Sequence, residues 1–282
     1  MPSPPPHSLR DSWALVLGVS SGMGRATARA LAAEGVHVIG VHFDRAETAE
    51  EARRLEGELR AGGVRAHLFN ANAAAPRTRE RLVPRIAELT GGAGLRVVLH
   101  SLAFGSLVPF LPRGGDKAAL TRPQLEMTLD VMAHSLVYWT QDLVAAGLLR
   151  RGAKIFAMTS AGTSQVLPSY GAVSAAKAAL ESHVRQLACE LAPYGVAVNA
   201  LRAGVTVTPS LLRIPGHEQF VDRSAAGNPH GRLTRPEDVA EAVVTLARTP
   251  SSWLTGDTIG VDGGELIAAG TTWNTRTEAE EW

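Results

Sequence analysis

Tyr170 and Lys177 flank the run Gly-Ala-Val-Ser-Ala-Ala and stand seven positions apart. A phenol can give a hydrogen bond or a proton to an oxygen that gains negative charge. On a helix, seven residues make about 700° of rotation, so both side chains return to nearly the same face. A pair four residues apart, at about 400°, would share a face too, but three further residues at about 1.5 Å each carry the phenol roughly 4.5 Å farther from the lysine. That axial offset bears on which oxygen the phenol meets. Reduction of a ketone charges the oxygen one bond from the carbon that takes hydride. Reduction of an α,β-unsaturated thioester charges a carbonyl oxygen two carbons farther along. The longer spacing suits the remote oxygen.

A second group of residues reads as a cradle for phosphate. Gly18-Val-Ser20-Ser21-Gly22-Met23-Gly24 follows the first apolar run and opens the first helical pattern. Gly18 permits a tight turn, Gly22 lets backbone approach a pyrophosphate, and Gly24 lets the helix pack closely on the strand. Ser20, Ser21 and Met23 lie in the same loop and join the coenzyme-binding set. Three glycines alone would fit an ordinary turn; the strand before and the helix after make the pattern specific.

These side chains need a scaffold. Short β-rich runs at 14–17, 36–41, 65–69, 96–99, 154–158, 196–201 and 258–261 alternate with helical patterns at 24–33, 48–60, 77–89, 124–145, 174–191 and 236–247. This rhythm predicts an α/β fold with parallel strands and helices on both faces. The reading is a single-domain, doubly wound Rossmann fold of about seven strands over 13–268. A Pro-rich, disordered lead-in is expected over 1–12 and a solvated acidic tail over 269–282. Positions 205–235 are rich in Pro, Gly and polar residues and read as a loop with short helices, of the kind that serves as a lid.

The bulk numbers exclude several classes. The 282 residues are 45% hydrophobic and 20% charged, which suits one domain with a large core. A net charge of +1 gives no case for nucleic acid or a membrane surface. No apolar run approaches a membrane span, and the first ten residues lack the apolar centre of a secretory signal. A single cysteine, Cys189, excludes an internal disulfide, reads as buried filler within a helical pattern, and fits the reduced cytoplasm.

Beyond the glycine loop, the chain resembles the short-chain dehydrogenase/reductase superfamily over nearly its whole length. The resemblance rests on Asn72, on His100-Ser-Leu-Ala103, on Ser160, on Tyr170 with Lys177, on Asn199-Ala-Leu-Arg-Ala-Gly-Val-Thr-Val-Thr208, and on Trp253-Leu-Thr-Gly256 through Val261-Asp-Gly-Gly264. Three departures point to its enoyl-[acyl-carrier-protein] reductase branch. The usual tyrosine position, four before the lysine, holds Val173. His100-Ser-Leu-Ala-Phe104 is similar to that branch's His-Ser-x-x-Phe. The helix position that commonly carries a catalytic-network asparagine holds Met132. The run from Tyr170 to Asn199 resembles the bacterial NADPH-dependent subtype, although a basic residue often precedes that subtype's second loop glycine where Ser21 stands here.

The resemblance implies roles. Tyr170 would stabilise an enolate oxygen, and Lys177 would hydrogen-bond the nicotinamide ribose and favour the phenolate form of Tyr170. Lys177 is the only lysine between positions 161 and 282, which sets it apart from a generic solvated helix face. Ser160 takes the place of the usual catalytic serine and equally reads as a strand-end cap; some enoyl reductases carry a second tyrosine there. Asn72 and Ala73 would border the adenine, Ser101 and Leu102 the ribose and nicotinamide, and Thr206 and Thr208 the carboxamide. His42, at the strand end by register, and Arg45 would meet a 2′-phosphate, so NADPH is the expected coenzyme, while Asp44 keeps NADH open. No metal is expected: neither His100 nor His134 shows a paired carboxylate or a close second histidine. The implied substrate is a 2-enoyl thioester, carried by coenzyme A or an acidic acyl carrier protein. The implied assembly is a homotetramer with His134 and Cys189 at subunit contacts. Two alternatives stay open: reduction of a ketone or specialised metabolite on the same scaffold, and a non-catalytic coenzyme sensor.

Overall fold

Strands β1 (Trp13–Leu17) and β2 (His37–His42) are unbroken, largely apolar runs buried at every position. Strands covered on both faces require this. β3 (Ala66–Asn70), β4 (Leu95–His100), β5 (Leu149–Thr159), β6 (Ala197–Ala203) and β7 (Thr258–Val261) complete a parallel seven-stranded sheet of order β3-β2-β1-β4-β5-β6-β7. The computed structural model describes residues 8–112 and 119–268. The expected doubly wound α/β sheet is the architecture found.

Alternate strand residues feed opposite cores, as pleating dictates. Leu15, Leu17, Val98, Ile155 and Val198 pack on α3 (Pro76–Thr90), α5 (Ser135–Ala145) and α6 (Gly171–Leu191). Ala14, Val16, Leu99, Phe156 and Leu201 pack on α1 (Gly22–Ala33), α2 (Ala46–Ala61) and α8 (Pro236–Arg248).

Three local expectations are corrected. The helix predicted over 124–145 is α4 (Arg122–Leu129), a π-helical turn (Asp130–His134), then α5. The Ser135 hydroxyl donates to the Val131 carbonyl at 2.8 Å, in competition with the regular ladder, while the apolar periodicity runs straight through. β5 begins at Leu149 because a register shift between Leu95 and Val97 lets it pair earlier than its apolar stretch suggests. The lead-in is held from residue 8 onward: Leu9 is buried, the Asp11 amide donates to Gly35, and the His37 amide donates to Ser12. Positions 1–7 and the acidic tail at 269–282 lie outside the described residues.

The segment 205–235 contains a short 3-10 turn, Leu211–Arg213, and α7 (His217–Gly227). It is pinned near both ends. The Val205 amide donates to the Glu265 carboxylate at 3.0 Å, and the Asn228 side-chain amide donates to the Asp262 carbonyl at 2.8 Å.

Candidate active site

The chain runs outward from β1 to the edge strand β3, then returns so that β4 lies on the other side of β1. This reversal opens a crevice beyond the carboxyl ends of β1 and β4. Gly18 turns into it with φ +91°, and a Cβ there would overlap the Ser101 carbonyl. A Cβ on Gly24 would overlap the Gly18 carbonyl. Bare backbone is therefore required at both positions. The first turn of α1 has no side-chain cap and no acidic residue, so its amides are open to an anion without competition. Thr208 arrives from beyond β6 and lies against Gly22; a Cβ on Gly22 would stand 3.3 Å from its methyl. Thr206 is buried and donates to the Gly204 carbonyl at 2.9 Å. Ser101 is held by its amide to the Leu17 carbonyl, and Leu102 packs on the inner core.

At the end of β2, His42 is buried and its Nδ1 stands 2.7 Å from the Asp44 carboxylate. The two Asn70 side-chain atoms bracket the Asp44 backbone. His42 is thus engaged internally, and of the two residues expected to meet a 2′-phosphate only Arg45 is exposed. The Asn72 side-chain oxygen accepts the Ala74 amide at 3.0 Å, so it shapes the turn while its NH2 group points to no bonded partner among the described residues. Ala73 is buried, and its carbonyl accepts the Trp139 indole N–H at 2.8 Å.

Tyr170 is the N-cap of α6, outside the regular helix, and its carbonyl accepts the first helical bond from Ser174 at 2.9 Å. Helical rotation therefore fixes its Cα but not its phenol. The ring lies over Gly162, where a Cβ would come within 2.8 Å of it. Beneath it, Met132, Val173 and Ala176 form a small buried cluster, joined by Leu107 and Leu129. The two positions that depart most from the usual pattern thus pack together, an adjacency with no local sequence signal. Burial raises the Tyr170 phenol above its ordinary pKa, and the neighbouring Ser160 hydroxyl opposes the rise. Ser160 Oγ is nonetheless buried without a hydrogen bond of regular geometry, so the two hydroxyls are adjacent rather than firmly bonded. Burial thus favours the neutral phenol at Tyr170.

Lys177 is buried and donates to the Met158 carbonyl at 2.7 Å and to the Leu102 carbonyl at 3.4 Å. It bridges the carboxyl ends of β4 and β5. Burial lowers its pKa to about 8, with Glu181 opposing. His100 lies fully buried on the same face and is bonded through Nε2 to Ser135.

The loop after β4 closes over this region. Ser106 donates to Thr128 at 3.0 Å, and the Phe110 ring sits on Gly171, where a Cβ would meet it at 2.6 Å. Loops beyond β4, β5 and β6 carry exposed Phe104, Phe110, Leu111, Val166, Val207 and Leu212, an apolar rim at the carboxyl edge of the sheet. A depression of about 530 Å³ against α3 and β3 lies elsewhere and is lined by none of the expected site residues.

Two expectations fail outside the crevice. His134 does have a close second histidine: its Nδ1 stands 3.0 Å from His183 Nε2, across 49 positions of sequence. No group of three or more His, Cys, Asp or Glu among the described residues is placed to hold a metal ion. Cys189 is exposed, because Leu187 and Ala188 take the buried face of α6.

The family model described as enoyl-(acyl carrier protein) reductase matches residues 18–265. The chain belongs to this family of short-chain dehydrogenases/reductases. It is an oxidoreductase by membership. Among its relatives, the enoyl-[acyl-carrier-protein] reductase [NADH] FabI of Aquifex aeolicus is 32% identical over 173 residues, a match that spans 61% of this chain and 63% of that protein. The NADPH-dependent aldehyde reductase-like protein of Arabidopsis thaliana chloroplasts is 29% identical over 272 residues, 93% of this chain and 97% of its own length. The crystal structure of an enoyl-[acyl-carrier-protein] reductase (NADH) from Aquifex aeolicus superposes with a TM-score of 0.78 at 25% identity, covering 92% of this chain and 98% of that one. Family members thus bear names that specify either nicotinamide coenzyme and more than one kind of substrate.

Proposed function

We propose that this chain reduces the α,β double bond of a 2-enoyl thioester with NADPH. The observation that carries the reading is the setting of Tyr170: a neutral, partly buried phenol at the α6 N-cap, above an apolar floor of Met132 and Val173. A neutral phenol donates a hydrogen bond, and a donor fixed before charge develops is the large term in stabilising an enolate oxygen. The apolar floor favours an acyl chain over a polar one.

The crevice fits a dinucleotide. Gly18, Ser20, Ser21, Gly22, Met23 and Gly24 would hold its pyrophosphate at the α1 N-terminus. Asn72 and Ala73 would border the adenine, Ser101, Leu102 and Lys177 the ribose and nicotinamide, and Thr206 and Thr208 the carboxamide. When bound, the coenzyme supplies the hydride for Cβ. Arg45 favours NADPH, and Asp44 opposes a 2′-phosphate less with its carboxylate turned onto His42. The segment 205–235 would close over the acyl chain with Leu211, Leu212, Ile214 and Phe220 and exclude water. An acidic carrier would dock on Arg213 and Arg223. Arg232 is bound bidentately by Asp238 at 2.7 and 2.9 Å and drops out of the basic rim, whereas Arg235 meets that carboxylate only through its backbone amide and keeps its exposed guanidinium in the rim. The protein would act in the cytoplasm as a homotetramer.

Ser160 beside Tyr170 supports a second reading, reduction of a carbonyl whose oxygen lies between the two hydroxyls. One assay separates them. NADPH and then NADH oxidation is followed with crotonyl and longer 2-enoyl coenzyme A, against the Tyr170→Phe variant. Oxidation that falls about 10²–10³-fold in the variant is expected. Turnover of a β-ketoacyl thioester or aldehyde instead, with inert enoyl substrates, would replace the first reading by the second.

A further inference from the structure

Three buried groups share the inner face of β4 and β5 at their carboxyl ends. His100 is fully buried on β4, beside Ala157 of β5. Ser135, at the start of α5, is fully buried as well. Lys177 of α6 bridges the same two strand ends through Leu102 and Met158.

Proton counting fixes the imidazole. The single Ser135 hydroxyl proton goes to the Val131 carbonyl at 2.8 Å. The contact of 2.8 Å between His100 Nε2 and Ser135 Oγ must then have the imidazole as donor. His100 Nδ1 is left as a bare lone pair, and it is buried with no hydrogen-bond partner. An orphaned acceptor in such a place is costly unless a donor reaches it. The charge that bears on it is the Lys177 ammonium, and burial together with that charge holds the His100 pKa down to about 3. The ring is therefore neutral wherever the protein is folded near neutral pH.

An ammonium has three N–H donors. Lys177 directs two at strand-end carbonyls, one of them at a long 3.4 Å. The helix position from which an amide would serve this network holds Met132, which packs into the apolar cluster.

We propose that His100 is a positioning residue for Lys177. Its Nδ1 lone pair, oriented by Ser135, accepts from the Lys177 ammonium directly or through one water and holds the charged amine where it serves the coenzyme. This rests on the reductase reading of the site. Glu181 on α6 is the other group whose charge acts on Lys177, and Lys177 is the one whose charge acts on His100. Removal of an acceptor for the charged amine lowers its affinity for a proton, so the ammonium is lost at lower pH.

The test measures NADPH affinity by fluorescence from pH 6 to 10, together with kcat and KM for the enoyl thioester. Wild type is compared with His100→Leu, His100→Gln and Ser135→Ala, each checked for native circular dichroism. The expected result is an alkaline loss of coenzyme affinity that moves to lower pH in His100→Leu, lies between in Ser135→Ala, and returns toward wild type in His100→Gln, whose amide oxygen restores an acceptor. A folded His100→Leu protein with an unmoved alkaline limb, or a uniform loss at every pH that glutamine does not rescue, would overturn the proposal. If wild type binds NADPH but turns over no enoyl thioester, the reductase reading fails while the binding arm still reports on Lys177.

Discussion

At the scale of the residue, Lys177 sets a pH limit that can be worked out by sign. Burial favours its neutral amine and brings the pKa down from 10.5 to about 8. Below that pH the ammonium is present and can hold the ribose hydroxyls; above it the charge is lost. Coenzyme affinity should therefore fall as pH rises through about 8, and Lys177→Met should bind weakly with no such limb. A wild-type affinity that stays level up to pH 10 would rule out this role. The identities of Tyr170 and Lys177 were legible from spacing, because a phenol and a lone lysine in an alanine-rich helix have few bland explanations. Their settings were not. The phenol leaves the helix at its cap, the lysine turns onto strand carbonyls, and His42 turns onto Asp44. Each is a through-space contact that no local pattern encodes.

At the scale of the element, what aims Tyr170 is the turn before it. Leu167 accepts from the Tyr170 amide at 3.2 Å, with Pro168 and Ser169 between, and Ser169 has φ +60°. Proline second and a positive φ third are the marks of a type II turn, where glycine is the usual third residue. Ser169→Val should lower stability by about 1–2 kcal/mol, since a β-branched residue resists this conformation, while Ser169→Gly should change it by less than about 0.5 kcal/mol. Equal melting temperatures for the two variants would remove the strain argument. One residue beyond the phenol, Gly171 supports Phe110. A Cβ there meets only the far end of a half-exposed ring, so Gly171→Ala should leave the melting temperature unchanged and raise KM for long acyl substrates several-fold. An unchanged KM would place Phe110 outside the acyl path. The strand and helix order was legible because buried strands read as apolar runs and helices keep their period. The π-helical turn at Asp130–His134 was hidden for the same reason: the apolar pattern crosses it without a break, and the Ser135 to Val131 bond that accompanies it is invisible in composition.

At the scale of the whole molecule, the sheet and α6 carry several histidines that folding keeps neutral, and together they set an acid limit to stability. Burial is the leading cause at each: His100 most strongly, then His37, His67 and His183, with the charges of Arg65, Arg60 and His134 adding to the last three respectively. Their unfolded value is 6.5, and His100 falls to about 3 in the folded protein. Between those values the unfolded chain binds more protons than the folded one, so stability is full above pH 6.5 and drains away as pH falls toward 3. For His100 alone the loss at about pH 4.5 is on the order of 3 kcal/mol. Carboxylates held low by arginines, such as Asp238 beside Arg232, add to the loss only nearer their own ordinary range. Thermal melts from pH 7.5 down to 4 should therefore show a level plateau, then a decline that begins near 6.5, before most carboxylates titrate. In His100→Gln the decline should be shallower and its onset later, because one protonation that only unfolding permits has been removed. Parallel declines for wild type and variant would show that His100 titrates in the folded state after all, and that its site admits the charged imidazole.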